Sequence, residues 1–405
     1  LAVFEWLSKL DLPAGMLLLG EMLNALSIFA AYLLTTTLVR HRVAGLAAAL
    51  FTGLFTPMPA YLTSWGRYTQ LAGMLILPVV VALSIEKTPV KKYLLAGTAA
   101  AGLFLVHYRV AAFAALLLAA YWLWQIRRSK RYNLQLIANV LRVVVISGGI
   151  AFLLAIPWAW PTLTRVFTPL ITDTASSQAL WFSDFAWKFI TAGMGQFVLT
   201  LAWIGLGWSL LRRPRLALAL ILWIVLMFLG ANLGLGGGIF LNNTSVEIVL
   251  FLPISLLAGY LVGWAHTRLG EIPFRLARLS LQWGLVLSLG ILSVFSARQL
   301  IPIINYNTLL YRANDRQAIT WIAENVPQEA TVLINPFLWG YGIYAGNDGG
   351  YWISPLAGRK TMPPPVLYSM SAERQEIVTI CKKVSELAGD ATGLHDYLQS
   401  VGIRF

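Results

Sequence analysis

The sequence predicts a mainly α-helical, polytopic membrane bundle of about ten helices, with a small C-terminal extracytoplasmic α/β domain. Three observations predict it. Of 405 residues, 58% are hydrophobic and only 12% charged, against about 25% charged in soluble domains. Ten apolar stretches follow one another before residue 309, and the loops between them alternate sharply in charge. The mean hydropathy of +0.70 excludes a water-soluble enzyme over most of the length.

In order, the apolar stretches are Gly15–Val39, Ala44–Met58, Leu71–Ile85, Tyr93–Val106, Val110–Ile126, Val143–Trp160, Phe189–Leu211, Leu216–Leu233, Ile248–Ala265 and Trp283–Ala297. Several are shorter than the ~20 residues that span a bilayer, so their aromatic and glycine-rich flanks are expected to extend the helices. Sixteen Trp, fifteen Tyr and nineteen Phe suit anchoring at membrane–water interfaces.

The net charge of +13 raises the question of nucleic acid, and its distribution answers it. One alternate set of loops, including Arg40, Arg42, Lys91, Arg128, Arg213 and Arg268, holds sixteen basic residues against two acidic ones. The opposite set holds six of each, and the tail from Leu309 eight basic against nine acidic. Basic loops face the cytoplasm, so the excess reports topology and no nucleic-acid partner is expected. Counting ten crossings leaves the tail outside, in a multi-pass protein of the cell membrane. Residues 1–308 are read as the transmembrane part and 309–405 as the extracytoplasmic domain. A start at Leu1 and a strand-like ending, Val401–Phe405, lead us to expect a piece lacking upstream membrane helices and a few downstream strands.

The tail has a different texture. Ala313–Asn325 is amphipathic and closed by Pro327; Thr331–Ile334 is a β-branched strand ended by Asn335-Pro336. A Gly/Tyr/Trp-rich stretch runs from Phe337 to Trp352, and Pro363-Pro364-Pro365 stiffens a linker. Ser371 is expected to cap a helix over Ala372–Leu387, and Leu394–Ser400 reads as a further helix. Alternation of helix and strand implies a parallel sheet. No glycine-rich phosphate loop opens these helices, so a nucleotide site is not expected there. The lone Cys381 and four scattered histidines supply neither a disulfide framework nor a metal cluster.

Ionisable residues in or at the rim of membrane helices are the default functional candidates. Trp65, Arg67 and Tyr68 lie in the densest polar–aromatic run of the neutral loops, Thr63–Gln70. A guanidinium at that rim can hold a phosphate in bidentate fashion beside rings that stack on a sugar. Equally, the rings can be interface anchors and Arg67 can snorkel to lipid phosphates. His107, Tyr108 and Arg109 interrupt the apolar run Tyr93–Ile126 at the same level. A second cation with an imidazole makes an anion pocket, and the alternative is a plain polar turn. Glu21 and Asn24 share a face of the first helix, where pairing with Arg67 or Arg109 is expected. Asp173 and Asp184 lie on the loop Pro161–Trp187, where they could serve as a base, bind a hard divalent cation or merely solvate the loop. Glu247 opens a helix whose cap is expected at Thr244 or Ser245.

The run Ser64–Gly73, the His107-Tyr108-Arg109 turn, Phe251-Leu252-Pro253 and the tail segments Trp321–Pro327, Gly349–Trp352 and Pro355–Arg359 resemble uncharacterised bacterial members of the GT-C superfamily of membrane glycosyltransferases. The resemblance covers most of the chain. It implies inverting transfer of a hexosyl or pentosyl group from a polyprenyl-phosphate-linked donor to an acceptor at the outer face. Trp65, Arg67, Tyr68, His107, Tyr108, Arg109, Glu21 and Asn24 would then bind substrate, with Asp173, Asp184 and Glu247 as candidate bases. The family's catalytic carboxylate lies in the first outer loop, and this chain is expected to begin beyond it. Thr244–Glu247 matches the spacing of a late-loop Thr-x-x-Glu pattern in some members; no metal is assigned from it, and a divalent cation is the one cofactor left open.

The alternative class is a transporter or lipid flippase with an outer accessory domain. Such proteins keep polar groups near the bilayer midplane on broken helices with two related halves, whereas here titratable residues sit at helix ends without an internal repeat. An inactive assembly subunit is a third class, which leaves the two cation–aromatic clusters unexplained. The loop asymmetry generates a first prediction: a topology reporter fused after Phe405 reads extracytoplasmic, and cytoplasmic activity of that fusion overturns the orientation.

Overall fold

A computed structural model of the chain describes residues 2–85, 91–127, 134–164, 185–232, 241–303, 311–340, 342–347 and 349–405. It divides into two compact units, Leu1–Pro161 with Gln178–Ile304, and Thr162–Ser177 with Asn305–Phe405.

Each of the ten apolar stretches is helical over most of its described residues. In the first unit α1 is Ala2–Ser8, α2 Leu12–Val39, α3 Arg42–Leu50, α4 Tyr61–Ser64, α5 Tyr68–Ile85, α6 Lys91–Val106 and α7 Tyr108–Arg127. Then follow α8 Leu134–Thr162, α9 Lys188–Thr191, α10 Gly195–Arg212, α11 Pro214–Asn232, α12 Asn243–Val249, α13 Phe251–Gly270 and α14 Arg275–Leu300. Among the described residues seven helices are long and apolar enough to cross a membrane: α2, α5, α7, α8, α11, the α12–α13 pair and α14. This is a multi-pass membrane protein.

Polar residues mark where helices start and stop. Asp11 caps α2 by accepting from Ala14 N–H (3.1 Å), and Arg40, at φ 56°, ends it. His41 Nδ1 then accepts from Ala44 N–H (3.2 Å) to open α3 after a two-residue turn. Nearly every residue of α13 up to Gly263 is buried, with Gly259 lying directly on Ala44 and Ala48 of α3. Small residues let two backbones approach where lipid offers no hydrophobic drive. By contrast α8 and α14 are only 11% buried and expose Phe152, Leu153, Trp283 and Phe295, as lipid-facing helices do.

Hydrogen bonds between loops distant in sequence sort them between two ends of the bundle. At one end His41 Nε2 meets Thr267 Oγ1 (3.0 Å) and Arg213 Nη1 donates to the Val39 carbonyl (2.6 Å). At the other, Arg109 meets Ser245 and Ala186 meets Glu247. Among the described residues, the basic connections around Arg40, Arg213 and Arg268 gather at the first end, and Arg109, Ser245 and Glu247 at the second.

The second unit holds α15 Ala313–Asn325, β1 Thr331–Leu333, β2 Pro336–Gly340, β3 Ile343–Gly346, α16 Ile353–Ala357, β4 Lys360–Met362, α17 Arg374–Glu386 and α18 Ala391–Ser400. As expected, β1 pairs in parallel, with β4 as its partner. The Gly/Tyr/Trp-rich stretch forms an antiparallel hairpin of β2 and β3, which its composition had not shown. Ser371 does not cap α17; its hydroxyl donates to the Tyr368 carbonyl (2.9 Å), and the helix starts at Arg374. Asp390 caps α18, which starts at Ala391, three residues before the expected start. Val401–Phe405 is not a strand, yet Leu333 N–H donates to the Phe405 carbonyl (2.6 Å) and Ile403 is buried.

Two side chains lock this unit. Arg359 donates to the carbonyls of Val326, Ala357 and Ala323 at 2.7–2.8 Å, answering the unsatisfied C-terminal carbonyls of α15 and α16 with a cation. The buried Tyr368 hydroxyl accepts from Tyr344 N–H (2.8 Å) and donates to the Tyr344 carbonyl (2.7 Å). Tyr368→Phe leaves two backbone groups of β3 unsatisfied, at a cost of about 1–3 kcal/mol. Hydrogen exchange at the Tyr344 amide should accelerate roughly ten- to a hundredfold; unchanged exchange would show that the phenol is not the lock.

Candidate functional site at one end of the bundle

The short helix α4 ends at Trp65, and Gly66 takes a left-handed φ of 63° that aims the chain into α5. Gly66 N–H closes on the Thr63 carbonyl and Arg67 N–H on Leu62, both near 3 Å. A glycine at this position is the usual way to end a helix tightly. It leaves Arg67 as the residue immediately before α5.

His107 is the single non-helical residue between α6 and α7. Its Nδ1 faces Val110 N–H at 3.4 Å, so the hydrogen of the neutral ring belongs on Nε2. The Tyr108 ring lies parallel to it, with centroids 6.0 Å apart. Arg109 donates from Nε to the Tyr108 hydroxyl (3.1 Å) and from Nη1 to Ser245 Oγ (3.2 Å).

The two clusters meet. Gly73, two turns into α5, faces the His107 turn so closely that an added Cβ would lie 3.1 Å from His107 Cβ. Arg67 and Arg109 both act on the imidazole: burial, then Arg109, then Arg67 push its pKa down to about 4. A half-buried histidine thus stays neutral between two guanidinium charges. Arg67 also lies over the Trp65 ring at 4.9 Å, and Trp65 packs edge-on against Tyr61 and Phe189.

Glu21 is exposed on α2, and its neighbour Gly20 lies against the Tyr68 ring. From Val39 to Glu21 the helix climbs about 27 Å, close to the ~30 Å hydrocarbon thickness, which puts Glu21 at the same rim as Tyr68. Asn24 lies deeper and its carbonyl accepts from Ser27 Oγ (2.5 Å). No ion pair of Glu21 with Arg67 or Arg109 appears among the described contacts.

At the start of α12 the cap is Asn242, not Thr244 or Ser245. Its Oδ1 accepts from Ser245 N–H (2.9 Å) and Ser245 Oγ (2.7 Å), so Ser245 serves as the link to Arg109. Asn242-x-x-Ser245 is a capping pattern that the sequence displays; the 136-residue reach to Arg109 is not. Glu247 is fully buried, with Oε1 accepting from Ala186 N–H (2.8 Å) and Oε2 without a hydrogen-bond partner among the described residues. Asp173 and Asp184 lie outside the described residues. Among the described residues no group of three His, Cys, Asp or Glu side chains could hold a metal ion.

A family model described as family of unknown function (DUF6541) matches residues 17–238, more than half of the chain. The chain belongs to this family. No curated protein matches the sequence. Among solved structures, this DUF6541 member is similar to ArnT from Cupriavidus metallidurans in the apo state, with a TM-score of 0.55 and 14% identity over 89% of this chain and 74% of that one. It is also similar to the Archaeoglobus fulgidus oligosaccharyltransferase, solved in complex with Zn and sulfate (TM-score 0.51, 13% identity). The overlap there is 87% of this chain and 51% of that one, so the DUF6541 chain spans about half the archaeal enzyme. At 14% and 13% identity the likeness shows that the DUF6541 chain shares the membrane fold of these two proteins.

The low pKa of His107 has a consequence for stability. Above about pH 6.5, its ordinary value, the imidazole is neutral in both folded and unfolded chains. As pH falls from 6.5 toward about 4, the unfolded chain takes up a proton that the folded site refuses, so stability is lost across that window. Thermal unfolding of wild type should therefore drop more steeply between these pH values than that of His107→Gln; parallel curves would contradict the neutral histidine.

Proposed function

We propose that this protein is a membrane glycosyltransferase that moves a sugar from a polyprenyl-phosphate-linked donor to an acceptor hydroxyl at the outer face of the membrane. The observation that carries the reading is the packing at Gly73, which sets the His107-Tyr108-Arg109 turn against α5, directly after Arg67, at the neutral-loop end of the bundle. The GT-C fold, shared with an oligosaccharyltransferase, supports it, and the basic loops at the opposite end support an extracytoplasmic site and tail.

A lipid-linked donor presents its phosphate at headgroup depth, where these side chains lie. In the transfer, the acceptor oxygen bonds to the anomeric carbon from the face opposite the phosphate, the bond from that carbon to the phosphate oxygen breaks, and the configuration inverts. The bonding electrons leave with the polyprenyl phosphate, whose charge grows by one. Arg67 and Arg109 offset that developing charge, which stabilises the transition state more than the bound donor. Trp65 and Tyr68 offer stacking faces for the sugar. Neutral His107 keeps a third charge out of the site and offers its Nε2–H as a hydrogen-bond donor. The acceptor's proton goes to a carboxylate; Asp173 and Asp184 remain candidates, and Glu247 is enclosed away from solvent.

The test is sugar transfer from a polyprenyl-phosphate-linked donor by the purified protein. Arg67→Lys and Arg109→Lys keep the charge but lose the planar, two-pronged donor geometry, and each should cost on the order of a hundredfold in rate. Folding should persist, because both residues lie at the rim. Wild-type rates in both variants would overturn the phosphate assignment, and lipid movement across vesicles without transfer would favour a transporter.

A further inference from the structure

Glu247 is a buried carboxylate without a part in the proposed transfer, and Lys188 is a cation outside the three residues that carry it. The two are linked. Glu247 Oε1 accepts from the backbone N–H of Ala186 at 2.8 Å, and Lys188 opens α9 two residues later. Phe189 is buried and packs its ring edge-on against Trp65, with centroids 4.9 Å apart, and against Tyr61 at 5.4 Å. Trp65 carries the Arg67 guanidinium over its face at 4.9 Å. Phe189 carries Lys188 Nζ at 5.4 Å. Two rings in contact therefore each carry a cation.

The donor to Glu247 is main chain, so the bond fixes where the segment runs and not merely how one side chain points. Ser245, two residues before Glu247, accepts from Arg109. A single turn of α12 thus anchors Arg109 on one side and the Lys188–Phe189 wall on the other. A carboxylate with no exposed surface is poorly placed to meet an acceptor hydroxyl, which must arrive from outside.

We propose that Lys188 is a further ligand for the phosphate of the lipid carrier, held beside Arg67 by the Phe189–Trp65 contact, and that Glu247 is the residue positioning it. This rests on the donor reading above. A flexible ammonium suits a phosphate oxygen as a point charge, complementing the planar guanidinium groups. The same chemistry would fit the phosphate of a bulk lipid headgroup or free phosphate, and the test separates the three.

Binding of a polyprenyl monophosphate, of phosphatidylglycerol and of inorganic phosphate to the purified protein in detergent is measured by titration with native mass spectrometry. Lys188→Gln should weaken polyprenyl monophosphate binding roughly tenfold, and Lys188→Arg should restore most of it. Glu247→Gln should bind and transfer as wild type does, since its amide oxygen still accepts the Ala186 N–H; Glu247→Ala should weaken binding as Lys188→Gln does. Phosphatidylglycerol and inorganic phosphate binding should be the same in all variants. If Glu247→Ala does not fold, the Glu247→Gln and Lys188 variants decide the question. Unchanged carrier binding in Lys188→Gln, or an equal loss of phosphatidylglycerol or inorganic phosphate binding, overturns the Lys188 assignment. Intact binding with abolished transfer in Glu247→Gln makes Glu247 the base. A wild type that binds no polyprenyl monophosphate removes the donor reading and this proposal together, whereas wild-type binding with an indifferent Lys188→Gln removes this proposal alone.

Discussion

A bilayer core offers no water to hydrogen-bond a bare peptide group, so a chain crosses it as helices that satisfy their own backbone. That constraint governs most of this molecule. It makes each apolar stretch a helix, and it pushes polar residues into the connections at the two ends. It also makes any ionisable group kept at an end without solvation costly unless neighbours stabilise it. The basic connections around Arg40, Arg213 and Arg268 collect at one end. Arg67, His107 and Arg109 collect at the other, where helix packing at Gly73 brings two connections together.

Electrostatics within that second end follow from proximity. Two guanidinium groups near one imidazole disfavour a third positive charge, and burial adds to the penalty. The outcome is a compact positive region whose charge comes from the two guanidinium groups. Its geometry is fixed by distant chain segments: Asn242 orients Ser245, Ser245 meets Arg109, and Glu247 holds the chain at Ala186. Such a frame fixes Arg109 and the Ala186 segment in place, a preorganisation that a departing phosphate would exploit.

The helices were legible because apolar runs and charged connections repeat over hundreds of residues, and one residue more or less does not blur that signal. Cluster membership was legible for Arg67 and the His107 turn, since alternate loops must lie at the same end. What held those residues in place was not. The Arg109–Ser245 and Ala186–Glu247 contacts join positions 136 and 61 residues apart, and no local pattern encodes them. Asn242 was missed as the cap because four polar residues in a row, Asn242 to Ser245, each satisfied the local rule. In the tail, the β2–β3 hairpin escaped notice because Gly, Trp and Pro obscure the alternation that marks a strand, whereas the amphipathic α15 read out with its observed limits. The catalytic carboxylate stayed unassigned for a chemical reason: an exposed loop acid has the same sequence appearance whether it solvates, coordinates or accepts a proton.

The central claim is that a phosphate binds where Arg67, His107 and Arg109 meet. The most direct measurement is the titration of His107 by NMR of selectively labelled protein, with and without a saturating polyprenyl monophosphate. An anion at that point offsets the two guanidinium charges and favours the imidazolium, so the pKa should rise from about 4 toward or beyond its ordinary value on binding. Saturation that leaves the His107 titration unmoved would place the phosphate elsewhere and contradict the account.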